Sequence, residues 1–408
     1  VRILWLKTEL LHPVDKGGKI RTFHMLKELK KDAHVTYLTL DDSDASDAER
    51  ELAKEYCHEV VTVAHRAAAK FSPGFYKELL ENVVSPLPYS MAKYRNRAMA
   101  RTIATQLNAL GKDDVLVADF LFPCVNLPAG DWGVPSVLFQ HNVEAVILRR
   151  HAETQANLAK KAFLYGQYAK MWLYERQTCR RFDEVVAVSK DDREKMVRDY
   201  GLSAVGEVAT GVDVEFFRAS GNQVVNPHEV AFTGSMDWLP NEDAIQWFTS
   251  EILPRIKQRL PDFKLTVVGR NPYPSLLELA KRESGIEVTG RVPDVRPYIE
   301  RAAAYVVPIR IGGGTRLKIY EAMAMGRPLV STTIGAEGLP IEDGKDLLLA
   351  DDPQAFADTV VKVLTDAELA RRVGETGART VRERFGWGKV SAQFLASCEA
   401  AIRARRGR

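Results

Sequence analysis

Short β-branched runs alternate with longer amphipathic stretches along the chain, and this alternation predicts parallel βαβ units. In the first half, Arg2–Leu6, His34–Leu40, Asp114–Ala118, Ser136–Phe139 and Glu184–Val188 read as strands. A helix is predicted over Ile20–Leu29, after a loop holding Gly17 and Gly18. Leu158–Phe182 reads as one long helix, with Tyr165, Tyr168 and Trp172 spaced to share a face. The polar stretch Gly221-Asn222-Gln223, followed by Asn226-Pro227, reads as a linker. Beyond it the pattern restarts with a strand Glu229–Thr233, a helix Ala244–Ile256 and a strand Lys264–Val268 closed by Gly269. Strands at Ile286–Thr289, Ala304–Val307, Leu329–Ser331 and Leu347–Leu349 follow. Two successive α/β blocks of similar size imply two doubly wound sheets. Ligands of such sheets sit at the carboxyl ends of the strands, so a cleft between the blocks is the expected site.

Composition narrows the classes. A chain of 408 residues, 46% of them hydrophobic, has room for two or three packed domains. Lys plus Arg number 57 against 54 Asp plus Glu, and a net charge of +3 lacks the basic footprint of a general nucleic-acid binder. No apolar run reaches the length of a membrane span, and the opening VRILWL is too short for a signal-peptide core. Cys57, Cys124, Cys179 and Cys398 are scattered without a CxxC pair, which fits a reducing compartment. The expectation is a soluble, cytoplasmic protein. Asp42-Ser43-Asp44 spells a metal-type Asp-x-Asp, but it lies in the acidic loop DDSDASDAER and reads as solvated turn. His141 and Glu144 form an HxxE with no further ligands converging, so no metal is expected.

The segment AYVVPIRIGGGTRLKIYEAMAMGRPLVS, from Ala304 to Ser331, carries the most chemistry. A strand ends at Pro308, and Gly312, Gly313 and Gly314 precede a helix that starts near Thr315 and closes at Gly326, with Pro328 beyond. Consecutive glycines let backbone N–H groups approach a phosphate, and the helix start adds its positive dipole end. Arg316 and Lys318 oppose that dipole, which makes sense where an anion binds. Glu321 sits in an apolar stretch and needs partners: a ribose diol is one reading, an ion pair with Lys318 one turn earlier is the other. No Walker A spacing follows the glycines, and no GxGxxG follows the first strand.

The segment GGGTRLKIYEAMAMGRPLVST resembles the donor-site signature of retaining glycosyltransferase family 4, in which Glu, seven residues and Glu precede Ala-Met-Ala-x-Gly-x-Pro. DKGGKIRTFHMLKELKK, QHNVEAVILRR, AVSKDDREKM, TGVDVEFF, GSMDWLPNEDAIQWF, TVVGRNP, TGRVPDVRPYIERA and FGWGKV resemble further landmarks of the family in order. The opening and MDWLPN resemble the exopolysaccharide-associated sugar transferases in particular. The resemblance implies the GT-B fold: two doubly wound Rossmann-like domains facing a cleft, over residues 1–220 (acceptor side) and 221–385 (nucleotide-sugar side), with a helix over 386–408 crossing back to the first. It implies a hexosyl transfer from a nucleotide diphosphate sugar, a UDP-sugar as first guess, to a hydroxyl-bearing acceptor, with retention, no cofactor and no metal. The acceptor is a glycan, a lipid-linked molecule or a small molecule.

By the same resemblance Glu321 binds the ribose, Lys318 clamps the diphosphate and His141 reaches toward the donor sugar, and these three are the candidate catalytic residues. Gly314 and Thr315 offer N–H groups, and Gly313 stands where the family has its first glutamate. Ser235 and Pro240 replace the family's Arg and Lys after the first strand of the second domain, so Lys19, Arg270 and Arg316 join Lys318 as candidate cations. Gly17, Gly18, Gly234 and Gly312 complete the candidate donor loops, and Arg291 and Val292 match the loop that reads the base. A non-catalytic nucleotide-sugar-binding subunit and a nucleotide-sugar epimerase compete with the transferase reading. Aromatic and basic residues between Arg149 and Arg181, with Arg403, Arg405, Arg406 and Arg408, form a candidate peripheral membrane contact.

Overall fold

The structure, a computed structural model, describes residues 1–14, 17–41, 47–69, 71–203, 205–311 and 316–407. It divides into two compact units, Val1–Ala209 with Val390–Arg408, and Thr210–Lys389. The division falls before the break expected at 220–221 because the segment after Thr210 is tied within the second unit. Val212 N donates to Phe385 O at 2.8 Å, and Ser220 Oγ donates to Glu300 Oε2 at 2.8 Å. Gly211 lies against the Trp387 ring so closely that a Cβ there would stand 2.5 Å from it. Asn226-Pro227, expected in the linker, opens a strand instead.

In the first unit, seven parallel strands are described: β1 (Arg2–Lys7), β2 (His34–Asp41), β3 (Glu59–Ala64), β4 (Val115–Asp119), β5 (Ser136–Gln140), β6 (Glu184–Ala187) and β7 (Val205–Glu207). Their order is β3-β2-β1-β4-β5-β6-β7. β4 and β5 are buried at every position, the pattern of a parallel sheet covered on both faces. The edge strands β3 and β7 are half-exposed and escape the sequence pattern. The second unit holds β8 (Asn226–Thr233), β9 (Lys264–Val268), β10 (Ile286–Gly290), β11 (Ala302–Val307), β12 (Leu329–Ser331) and β13 (Leu348–Leu349), ordered β10-β9-β8-β11-β12-β13. Both sheets are Rossmann-like, each with its strand order reversing once, between β1 and β4 and between β8 and β11. Such reversals open a crevice at the carboxyl ends of the strands.

Helices cover the sheets. The one expected over Ala244–Ile256 starts earlier and is interrupted: Leu239–Trp247, a π turn Phe248–Ile252, then Leu253–Lys257. Pro254 lacks the N–H that would close an α-turn on Ser250, which accounts for the widened turn. The long helix is Leu158–Cys179, begun by Asn157, whose side chain accepts from Lys160 N. Tyr168 and Trp172 pack on the core while Tyr165 stays exposed. The last helix, Trp387–Arg406, enters the first unit from Val390 onward, and Phe394 packs there on Trp5 and Phe139 with ring centroids 5.4 and 4.9 Å apart.

The terminal basic residues are spent within the chain. Arg405 pairs with Asp131, Arg406 with Asp113, and Arg403 lies 3.7 Å from Glu399. The carboxyl half of the long helix is buried at Met171, Glu175, Thr178 and Cys179. Lys160, Arg180 and Arg181 of the same stretch stay exposed, and Arg408 lies outside the described residues. No described helix is long and apolar enough to cross a membrane.

Candidate active site

At the carboxyl edge of the second sheet, the chain leaves β8 through Gly234 and β9 through Gly269. A Cβ on Gly269 would stand 1.7 Å from Gly234 O, and one on Gly234 would stand 2.6 Å from both Lys318 Nζ and Asn241 Nδ2. Only side-chain-free residues allow this approach. The helix Leu317–Ala324 supplies Lys318, half-buried, whose Nζ donates to Asn241 Oδ1 at 2.9 Å and lies 4.0 Å from the Phe232 ring centroid. Asn241 is itself buried and donates through Nδ2 to Ser235 O at 2.8 Å.

Burial, and then the neighbouring Arg316, bring the Lys318 pKa down to about 7 against the pull of Glu321. Burial likewise pushes Glu321 up to about 7, with Lys318 pulling the other way. The ion pair between them that competed with the ribose reading is not formed, because Lys318 turns to Asn241. No hydrogen bond or ion pair from a described residue reaches the Glu321 carboxylate. Beneath it, Tyr305 Oη on β11 lies 2.5 Å from Thr233 Oγ1 and accepts from Thr233 N at 3.0 Å.

Two further cations stand at this edge. Arg316 is buried at the start of the helix with its guanidinium 5.2 Å from the Trp238 ring centroid. Arg270, exposed after β9, donates from Nε to Ser235 Oγ at 2.8 Å. A cation therefore reaches the place where the family resemblance finds one missing, from the neighbouring strand end. Gly234, Ser235, Arg270, Arg316, Lys318 and Glu321 are thus brought together. Exposed Arg291 and half-buried Val292 follow β10, two strands from β8 along the same edge. Gly312, Gly313, Gly314 and Thr315, like Asp42-Ser43-Asp44, lie outside the described residues.

The first unit has its own polar cluster where its strand order reverses. Lys7 ends β1 and Asp119 ends β4; both are buried, with Nζ 2.7 Å from Oδ2. Thr22 Oγ1 and Trp5 Nε1 donate to the same oxygen at 2.6 and 3.0 Å. His141, just past β5, sets Nε2 2.7 Å from Asp119 Oδ1 and stacks on Phe120 with centroids 3.8 Å apart. Burial alone would raise the Asp119 pKa, but Lys7 and then His141 outweigh it and hold the carboxyl well below the usual range. Burial brings His141 down to about 3, against Asp119 and aided by Arg21, so the imidazole is neutral.

Gly17 and Gly18 begin the helix Gly17–Leu29, and a Cβ on Gly18 would come 3.1 Å from the Phe120 ring. Lys19 is buried, 3.7 Å from Glu9 Oε2 and 3.4 Å from His12 O. The HxxE does not gather a metal set: Glu144 faces Glu175, and burial and then that carboxylate push it up to about 8. Glu175 accepts instead from Glu144 N, Ala145 N, Gln140 Nε2 and Tyr200 Oη, at 2.8–3.0 Å, and anchors the turn that carries His141. Lys7, Asp119 and Asn241 escaped the sequence reading. The signal was present for the first two: each is a charge ending an apolar run (RILWLK, VLVAD).

Two family models match the chain, Glycosyltransferase Family 4 over residues 16–216 and Glycosyl transferases group 1 over residues 227–366. The chain belongs to the family-4 glycosyltransferases. This glycosyltransferase is 20% identical to an uncharacterized 44.6 kDa protein in the cps region of Klebsiella pneumoniae, over 95% of this chain and 97% of that one. It is 29% identical to a phosphatidyl-myo-inositol mannosyltransferase of Mycobacterium tuberculosis over 52% of this chain, and spans 57% of that protein. Among solved structures it is similar in fold to Anabaena Alr3699/HepE in complex with UDP (TM-score 0.68, 14% identity, 98% of this chain and 100% of that one). It is also similar to a sucrose-phosphate synthase from Thermosynechococcus elongatus (TM-score 0.67, 16% identity, 97% and 98%). The structural likenesses establish the GT-B fold, and the two family models establish an enzyme that transfers glycosyl groups.

Proposed function

We propose that this enzyme moves a hexosyl group from a nucleoside diphosphate sugar to a hydroxyl-bearing acceptor with retention and without a metal ion. The observation that carries the reading is the pair on the helix Leu317–Ala324. A half-buried ammonium and a carboxylate that no described residue satisfies stand over two glycine turns at the strand-order reversal. Lys318 takes the diphosphate, and Glu321 accepts from the ribose hydroxyls. Arg316 and Arg270 add positive charge at the same edge, which is the role a divalent ion would otherwise fill. Backbone groups at Arg291 and Val292 serve the base, and His141 is kept as the candidate for the donor sugar on the family resemblance. Uridine is the favoured base, supported by the HepE structures that hold UDP and UDP-glucose.

The glycosidic C–O bond breaks through an oxocarbenium-like transition state, so negative charge grows on the departing diphosphate. Fixed donors and cations aimed at that charge supply the main electrostatic gain. The acceptor oxygen attacks the same face, its proton passing to the departing phosphate oxygen. Resemblance to exopolysaccharide-associated transferases supports a place in polysaccharide biosynthesis. Four buried, unpaired cysteines suit a reducing cytoplasm. Incubation with UDP-, GDP- and ADP-sugars tests the reading, with water as a slow acceptor. Nucleoside diphosphate released at a rate unchanged by EDTA is expected; a new sugar isomer, or binding without release, would overturn it.

A further inference from the structure

The loops that leave β8 and β9 are joined by a closed ring of side chains. Arg270 Nε donates to Ser235 Oγ at 2.8 Å, Ser235 Oγ donates in turn to Asp237 Oδ1, and Asn271 Nδ2 donates to Asp237 Oδ2 at 2.7 Å. Asn271 follows Arg270 in the chain, so the backbone closes the ring, and Met236 N donates to Arg270 O at 2.9 Å across its middle. Met236 is buried, which roots the ring in the core although Asp237, Arg270 and Asn271 are exposed. Asn271 holds φ at +54°, in the left-handed region that asparagine tolerates better than most side chains. Its hydrogen bond to Asp237 secures that turn.

The ring shares a residue with the surroundings of Lys318. Ser235 receives Arg270 on Oγ, while its carbonyl accepts from Asn241, the residue that holds Lys318 Nζ. Two cations thus flank one residue at the carboxyl edge of the sheet. A long exposed arginine ordinarily samples many rotamers, and ordering it costs entropy. Here the planar guanidinium is pinned through Nε, which presets the fork geometry that suits a phosphate. Ser235 can accept from Arg270 because its own hydroxyl proton goes to the Asp237 carboxylate. The hydrogen bonds from Ser235 and then Asn271, aided by the charge of Arg270, hold that carboxyl below its ordinary range.

We propose that Asp237 is a positioning residue, which holds Arg270 through Ser235 and Asn271 so that the guanidinium meets the outer phosphate of a nucleoside diphosphate. Asp237 itself does not touch the ligand. The sign of its effect is therefore opposite to plain electrostatics. A negative charge near a diphosphate repels it, yet removing this one weakens binding because the cation loses its anchor. That the ligand is a nucleoside diphosphate rests on the donor reading of Lys318 and Glu321.

Calorimetry of the full chain with UDP and UMP, repeated with the guanine and adenine pairs, tests the role of Asp237, alongside thermal unfolding. Arg270→Ala should lower diphosphate affinity about 10–100-fold and leave the monophosphate within about twofold. Asp237→Ala should lower only the diphosphate, about three- to tenfold, the cost of ordering one long side chain, with Tm unchanged. In the Arg270→Ala background, Asp237→Ala should have no further effect. Asn271→Gly keeps the positive φ without strain and should also weaken the diphosphate alone, so the link is read even where Asp237→Ala folds poorly. Diphosphate binding that is unchanged or tighter in Asp237→Ala overturns the proposal. So do equal losses for diphosphate and monophosphate, which would make the ring a structural brace. Losses that multiply in the double variant overturn it too, since Asp237 would then act on the ligand directly. A wild-type chain that binds none of the diphosphates would sink the donor reading and this proposal with it; the other failures leave that reading standing.

Discussion

Replacing Lys318 by Met separates a residue kept for binding from one kept for stability. The folded-state pKa of about 7, against an ordinary 10.5, means that the charged form is strained by about 5 kcal/mol at ~1.4 kcal/mol per pH unit. The ammonium is only half-buried, so water screens part of this and about 3–4 kcal/mol remains. Losing Lys318 also orphans the buried Asn241 Oδ1, at a cost of about 1–3 kcal/mol. Lys318→Met should therefore stabilise the ligand-free chain by about 1–2 kcal/mol, a rise in Tm of about 2–8 °C. The unfolded lysine titrates near 10.5 and the folded one near 7, so wild-type stability climbs with pH between those values. The variant's advantage is greatest below about pH 7 and fades toward 10.5. Catalysis moves the other way, with kcat for donor hydrolysis falling about 10²–10³-fold. Thermal unfolding across this pH range and single-donor kinetics read both effects. A variant less stable at neutral pH yet fully active would show Lys318 to be a structural post and refute the reasoning.

Other outcomes follow from the same geometry. Diphosphate wants Lys318 charged and ribose wants Glu321 charged, and both groups titrate near 7. UDP affinity by calorimetry should peak there, with Glu321→Gln removing the acid limb and weakening binding about tenfold or more. Gly269→Ala places a methyl 1.7 Å from Gly234 O and should cost about 3 kcal/mol or more, read as a drop in the denaturation midpoint. Lys7→Met strands the buried Asp119 carboxylate and should destabilise by about 3–5 kcal/mol, while Lys7→Met with Asp119→Asn recovers much of the loss. Because Asp119 is held below its ordinary 3.8, the stability it confers is present above about pH 4 and lost as pH falls further; Asp119→Asn should flatten acid unfolding.

Much of the architecture was legible because buried parallel strands write themselves as apolar runs: RILWLK, VLVAD and SVLFQ each became an inner strand. The edges of the second sheet, β10 and β13, were legible too, but those of the first were not: β7 is only the three half-exposed residues VGE, and β3, EVVTVA, was missed although its β-branched composition is that of a strand. The domain break was misplaced because Gly221-Asn222-Gln223 has the composition of a linker, whereas what decides a boundary is which backbone groups are tied where. Gly234, Lys318 and Glu321 were legible as a set through resemblance; the Asn241 contact that orients Lys318 was not, because it joins residues 77 positions apart. The buried Lys7–Asp119–His141 cluster lay hidden for the same reason, being assembled by strand order.

The most direct measurement is a crystal structure with an intact UDP-sugar bound. Lys318 Nζ is expected within hydrogen-bonding distance of a phosphate oxygen, with both ribose hydroxyls donating to the Glu321 carboxylate. Nucleotide held elsewhere, with Lys318 still turned to Asn241 and Glu321 untouched, would contradict it.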